Sequence, residues 1–270
     1  MYKRQGLSRK INKINPDFII DLHDVLRTKI LRLFLINKFG HTVVVNKGRK
    51  EKKLLIRGIK SEPLKLMHRR YAETFEALKI KINIDDFSYY KKIKITNHNY
   101  AFSSSDKLIG IAPFARHKCK EYSLNNIINF IDSLDKSWQI LIFGAPGIEE
   151  QKIIKLCNNK SNRHVISSNY NLEQQMAIMS NLDAMISMDS ANGHIASLFG
   201  IDVITIWGAT HPNSGYGPLN QPKENSIVPD LNKYPDLPVT IYGSDCPADY
   251  VEAINNIKCE RILERLNKII

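Results

Sequence analysis

Residues 183–207, DAMISMDSANGHIASLFGIDVITIW, decide the fold. The apolar run Ala184–Met188 has strand length and stops at Asp189-Ser190, a pair suited to starting a helix. About two turns of helix-compatible sequence follow, up to Phe199-Gly200, and then a second β-branched run, Val203–Ile206. Strand, helix and strand in that order, both strands apolar throughout, make a βαβ unit on a parallel sheet. Working backward, the same rhythm runs through KLIGIAPF (107–114), SLNNIINFIDSL (123–134), WQILIFG (138–144), IEEQKIIKLC (148–157), HVISS (164–168) and LEQQMAIMSNL (172–182). The sequence therefore predicts an α/β, Rossmann-like domain with helices on both faces of a parallel sheet.

The first hundred residues carry a weaker version of this pattern. DFIIDL (17–22) and HTVVV (41–45) read as strands, DVLRTKILRLFLINKFG (24–40) as the amphipathic helix between them, and MHRRYAETFEAL (67–78) as a further helix. Residues 79–105 lose periodicity and end in a Ser run, which places a linker there. Two Rossmann-like domains follow, over 1–100 and 101–250. Residues 251–270 close the chain as a helix with Val251, Ile254, Ile257, Ile262, Leu263 and Leu266 on its apolar side. There is no internal repeat of 20–50 residues.

Composition narrows the class. A chain of 270 residues with 43% hydrophobic and 24% charged content is globular, not disordered. The net charge of +12 is uneven: residues 1–100 hold 24 Lys and Arg against 9 Asp and Glu, the rest 15 against 18. A basic first part favours an anionic partner, whether nucleic acid, an acidic membrane surface or a phosphorylated glycolipid, or it is a lysine-rich solvated face. No apolar run approaches transmembrane length, and the basic start leads only to a short FII, which predicts neither span nor signal peptide. The cysteines (119, 157, 246, 259) are far apart with no CxxC, so neither a zinc site nor a disulfide framework is indicated and a reducing cytoplasm is expected.

Four strand-end loops carry the candidate chemistry. After 184–188, Ser190 or Asp189 is placed to cap a helix whose first N–H groups form an anion pocket, with small residues Ser190, Ala191 and Gly193 allowing close approach and His194 one turn in. An ordinary helix cap with a core-facing histidine is the plain alternative. The loop after 108–112 sets Ala115, Arg116, Lys118 and Lys120 where cations can converge on a diphosphate, or simply face solvent. In FGAPGIEE (143–150), Glu149 can hold ribose hydroxyls or balance the helix dipole. WGATHPNSGYGP (207–218) can close over a sugar.

Together, IGIAPFARHKCKEYS, LIFGAPG, LEQQMAIMSNLDAMISMDSANGHIASLFG and DVITIWGATHP resemble glycosyltransferase family 9, the lipopolysaccharide heptosyltransferases, in the family's order and spacing; DFIIDLHDVLRTKIL is similar to its D-L-H-x-x-L-R segment. The resemblance implies a two-domain GT-B fold that moves a sugar from a nucleotide donor, commonly ADP-heptose, to the anionic lipid A/Kdo inner core at the cytoplasmic face of the inner membrane. It implies that Lys120 and Lys118 contact the donor phosphates, that Ser190 and Ala191 supply backbone donors, and that Asp189 and His194 face sugar and diphosphate. Tyr170 is implied near the adenine, Glu149 near the ribose and Arg27 toward the acceptor. No cofactor and no divalent metal are implied, lysine and helix-end N–H groups stabilising the leaving diphosphate instead.

Two departures stand out. The family has Gly after the Asp-Ser/Thr pair, where this chain has Ala191. The family also opens with a strand and glycine loop bearing the Asp that deprotonates the acceptor, whereas this sequence starts just before DFIIDL, so the first domain is expected to be incomplete at its start and no catalytic base is named. A catalytically silent nucleotide-sugar-binding relative, or a fragment, is the alternative. An oxidoreductase lacks its G-x-G-x-x-G, and no nucleic-acid-binding pattern is present.

Overall fold

The computed structural model describes residues 2–35, 41–86, 88–94, 102 and 107–270, with side chains from residue 6 onward. The chain forms two compact units, one of residues 1–51 and 64–87, the other of residues 52–63 and 88–270.

In the smaller unit, α1 (Tyr2–Ile14) precedes β1 (Ile19–Asp21), α2 (Leu26–Leu33) and β2 (Thr42–Val44), with β1 and β2 paired in parallel, Ile19 opposite Thr42. The strand–helix–strand expected over 17–45 is present; its residues 36–40 lie outside those described, and α1 is an addition the sequence reading did not contain. α3 (Arg49–Leu55), whose residues from Lys52 onward group with the larger unit, and α4 (Met67–Glu76) follow. The turn after β1 is built on Asp21, whose Oδ1 accepts the N–H groups of His23 (2.9 Å) and Asp24 (2.8 Å). Burial works against the Asp21 charge, but these N–H donors, the Thr28 hydroxyl and the Arg32 guanidinium outweigh it and hold the carboxyl below its usual range. Arg32 also reaches Asp24 (3.3 Å), which Arg49 holds from the other side. Of the expected linker, residues 88–94 lie against the larger unit, where the Ile93 N–H donates to Ser180 Oγ at 2.9 Å; 95–101 and 103–106 lie outside the described residues.

The larger unit holds a six-stranded, all-parallel sheet in the order β5-β4-β3-β6-β7-β8. Its elements in chain order are β3 (Leu108–Ala112), α5 (Leu124–Ser133), β4 (Gln139–Phe143), α6 (Ile148–Cys157), β5 (Arg163–Ile166), α7 (Leu172–Met179), β6 (Ala184–Met188), α8 (Ala191–Leu198), β7 (Asp202–Ile206) and β8 (Ser226–Ile227). Alternation along each strand feeds two cores. Ile109, Ile111, Ile140, Ile142, Ile186 and Ile204 pack with α5, α6 and the chain's end; Leu108, Leu141, Phe143, Met185 and Val203 pack with α7 and α8. Both faces being covered is why these strands read as unbroken apolar runs. The order reverses between β3 and β6, so the crevice at their carboxyl ends is the switch point where such sheets take ligands.

The expected single closing helix is broken in two. α9 (Ala248–Val251) passes into a 3-10 turn, Ala253–Asn256, and α10 (Cys259–Leu266) starts only after an extended Ile257-Lys258. The break is tied down from outside: Tyr122 OH donates to the Ile257 carbonyl at 2.5 Å, and Asn255 Oδ1 accepts the Ser123 N–H at 2.7 Å. Ile254, Ile257, Ile262 and Leu266 are buried, as the apolar pattern required, and the extra residues of the break let both pieces face one core.

Candidate active site

At the switch point the β6 strand ends in Asp189-Ser190 and α8 begins at Ala191. Ser190 occupies the capping position with extended backbone, but its hydroxyl caps nothing; it lies 3.2 Å from Ser187 Oγ, which donates to the Met188 carbonyl. That corrects the expected side-chain cap. The helix start keeps its N–H donors and the positive end of its dipole for another acceptor. Gly193 differs from expectation too: it is buried, and a Cβ there would lie 3.1 Å from Ser187 and 3.2 Å from Val203. Its smallness seats α8 on β6 and β7, not a ligand on α8. Ala191, the departure from the family pattern, is exposed.

Asp189 anchors the adjoining cluster. Its Oδ2 accepts from Lys120 Nζ at 2.8 Å and from the fully buried Thr210 hydroxyl at 3.0 Å, with the Lys120 and Asp189 side chains only 13% and 10% exposed. Lys120 ends the short 3-10 turn Lys118–Lys120 that follows β3, and Cys119 in its middle is buried beneath it. The Cys119 carbonyl accepts the Ala209 N–H at 3.1 Å, and Gly208 lies so close that a Cβ would stand 2.0 Å from that oxygen. The loop after β7 is thereby clamped under the turn that carries Lys120. Thr210 and Gly208 lie in the loop 207–218 that the sequence marks as able to close over a sugar, but nothing in it singles them out beyond their place directly after the apolar run that became β7.

His194, in the first turn of α8, is open to solvent on one side. Desolvation by the protein around it pushes its pKa below the ordinary histidine value, with the Lys120 charge reinforcing and Asp189 opposing.

Beside this cluster a cleft of about 430 Å³ is walled by Phe114, Ala115 and Arg116 from the β3 loop, Phe143–Pro146 and Glu149 from the β4 loop, Gln175 from α7, and Ser190, Ala191 and Asn192. Of the predicted residues, it brings Ala115, Arg116, Glu149, Ser190 and Ala191 together. The Ala115 N–H is used by Glu121 Oε1 at 3.1 Å, and Glu149 Oε2 accepts the Ala145 N–H at 2.8 Å, so that carboxylate shapes its own loop as well as facing the cleft. Arg116 and Lys118 are exposed. Tyr170 packs on the α7/α8 core rather than in the cleft wall, and Gln175, which does line it, donates to the Tyr170 carbonyl at 2.9 Å. Arg27, in the smaller unit, is exposed in the first turn of α2. No group of three or more His, Cys, Asp and Glu that could hold a metal occurs among the described residues. The chemistry on offer is anion capture: an uncapped helix start, a lysine held ready by a carboxylate, and an arginine at the rim.

Comparison with solved structures finds the same fold. The ADP-heptose lps heptosyltransferase II of E. coli is 15% identical with a TM-score of 0.64, over 98% of this chain and 80% of that one. A family 9 glycosyl transferase from Veillonella parvula DSM 2008 gives 15% and 0.67, over 98% and 77%. The E. coli heptosyltransferase WaaC, solved with ADP, gives 14% and 0.66, over 100% and 78%. No curated protein sequence matches. The sequence model for glycosyltransferase family 9 (heptosyltransferase) matches residues 4–241, and on that match this chain belongs to glycosyltransferase family 9.

Proposed function

We propose that this glycosyltransferase transfers heptose from ADP-heptose to an anionic lipopolysaccharide-core acceptor without a metal ion. The observation that carries the donor half is the uncapped start of α8 beside the Lys120–Asp189 pair at the carboxyl edge of the sheet. A nucleotide diphosphate set there accepts from the helix N–H groups and from Lys120, and both stabilise the charge that builds as the glycosidic bond breaks. The cleft next to it takes the nucleoside, with Glu149 toward the ribose and Arg116 at the phosphates; Tyr170 stands toward the base only from behind Gln175, which lines the cleft and donates to the Tyr170 carbonyl, and the exposed Lys118 joins Arg116 at the phosphates. Asp189 and His194 face the diphosphate and the sugar.

On this reading residues 101–250 hold the donor, residues 1–100 serve the acceptor through Arg27 and their excess of cations, and residues 251–270 close the donor domain. The acceptor hydroxyl displaces the diphosphate at the anomeric carbon, assisted by a general base that the described residues do not identify. No helix among the described residues is long and apolar enough to cross a membrane, and the basic first part supports peripheral association with the anionic inner leaflet from the cytoplasm.

Titration calorimetry with ADP, UDP, GDP and ADP-heptose tests the proposal. Selective binding of ADP and ADP-heptose, lost in Lys120→Ala, is expected. Absence of binding by the folded chain, or equal binding of all nucleotides with Lys120→Ala unaffected, would remove the donor assignment.

A further inference from the structure

The donor reading leaves the sugar end of the ligand with few contacts, and three side chains of the larger unit form a relay suited to it. Lys52 is 4% exposed, and its Nζ donates to the Tyr216 hydroxyl at 2.8 Å while lying 4.5 Å from the Tyr216 ring centre and 5.9 Å from that of Tyr242. The Tyr216 hydroxyl donates onward to the Tyr242 hydroxyl at 3.0 Å, and the two rings meet edge to face at 5.6 Å. An ammonium group can only donate. The Tyr216 oxygen accepts from it and directs its own O–H at the Tyr242 oxygen, so the Tyr242 proton must point elsewhere. Tyr242 is 52% exposed, so that direction is outward. Each donation polarises the next, which makes the Tyr242 O–H a stronger donor than an isolated phenol.

Both tyrosines come from segments that touch the Lys120–Asp189 pair. Gly243, the next residue after Tyr242, packs so tightly that a Cβ on it would lie 2.8 Å from Lys120 Cδ. Tyr216 follows Thr210, which holds Asp189, in the loop after β7. The cleft for the nucleoside is walled by other loops, those after β3 and β4 and the start of α8. The relay is therefore built on segments that touch the Lys120–Asp189 pair but take no part in walling that cleft, which leaves it beside the diphosphate cradle and apart from the nucleoside.

We propose that Tyr242 contacts the sugar carried on the nucleotide diphosphate, its hydroxyl donating to a sugar oxygen and its ring offering an apolar face to the sugar C–H groups, with Lys52 and Tyr216 as positioning residues. The proposal rests on the donor reading given above. A hydroxyl or carbonyl oxygen of a saccharide suits such a donor, and an exposed ring tolerates substitution without harm to the core.

Titration calorimetry of the whole chain with ADP and with ADP-heptose, for the wild type, Tyr242→Phe and Tyr242→Ala, tests it. Tyr242→Phe should leave ADP affinity unchanged and weaken ADP-heptose by about tenfold, the loss of one polarised hydrogen bond. Tyr242→Ala, which also removes the ring, should weaken ADP-heptose further and again spare ADP. Unchanged ADP-heptose affinity in Tyr242→Phe overturns the proposal, and so does an equal loss for both ligands, which would mark a nucleotide contact or a structural role. A defect confined to turnover with a saccharide acceptor, donor affinity intact, also overturns it by moving Tyr242 to the acceptor. If the wild type binds neither ligand, the donor reading fails and this proposal with it.

Discussion

Replacing Lys120 by Met removes the ammonium from Asp189 while keeping the apolar stem in place. In the wild type Asp189 Oδ2 shares two donors, Lys120 Nζ at 2.8 Å and Thr210 Oγ1 at 3.0 Å. Removing one partner of a well-buried pair costs about 3–5 kcal/mol, because a charge is left without compensation. Here Thr210 still donates and both side chains keep some solvent contact, so the expected loss is about 2 kcal/mol, or about 5 °C in the melting temperature of a unit this size. Asp189→Asn alone should also destabilise, since the ammonium then stands without its carboxylate. The double variant Lys120→Met/Asp189→Asn should recover about half of the summed loss, the signature of direct coupling. Nucleotide affinity separates from stability. Both variants lacking Lys120 should lose about 10- to 100-fold in ADP affinity, the worth of a hydrogen bond from a charged donor, and the double variant should not regain it. Thermal unfolding and calorimetry read the two effects independently. Additive stability losses would refute the pair as a coupled unit, and ADP affinity unchanged in Lys120→Met would refute its place at the diphosphate.

Two further outcomes follow from the same clamp. Gly208→Ala places a methyl about where the Cys119 carbonyl oxygen lies, 2.0 Å away, and neither backbone can yield cheaply, so a loss of about 3 kcal/mol is expected by thermal unfolding. Gly217→Ala, in the same loop with open space around the added Cβ, should melt as the wild type does. For His194, the depressed pKa means the free protein protonates it only below the ordinary value of 6.5, while a bound diphosphate favours the cation and raises that pKa. Binding then takes up a proton, and ADP affinity should rise as pH falls from the pKa of the bound state toward the depressed pKa of the free protein, measured against His194→Gln so that titration of the phosphate itself is subtracted. An identical pH dependence in both proteins would place His194 away from the phosphates.

Much of the larger unit was legible because its elements are local. Apolar runs of strand length separated by helices with a 3.6-residue period fix strand, helix and parallel pairing together, and β3 through β7 fell where those runs lie. The closing segment was misread as one helix although the five-residue step from Ile257 to Ile262 already departs from a 3- and 4-residue period; the Tyr122 hydroxyl and Asn255, through contacts more than a hundred residues apart in sequence, fix where the break falls. Sequence singled out Asp189, Ser190 and Lys120 by their places after strand ends, and the structure brings Lys120 and Asp189 together beside the start of α8. It assigned Gly193 to a ligand because smallness alone does not say which neighbour requires it; the packing on Ser187 and Val203 does.

The order of residues by itself determined the α/β class, the strand ends that carry polar chemistry and, through motifs in series, the family. These depend on hydrogen bonds and burial periods within a few turns of chain. Only the tertiary structure decided which polar groups share a partner: that Thr210 and Lys120 meet on one oxygen of Asp189, that Ser190 leaves its helix uncapped, and that Lys52 and Tyr242, 190 positions apart, are joined through Tyr216. Such contacts are set by the stacking of whole elements across the sheet, and the spacing of residues along the chain holds no record of them.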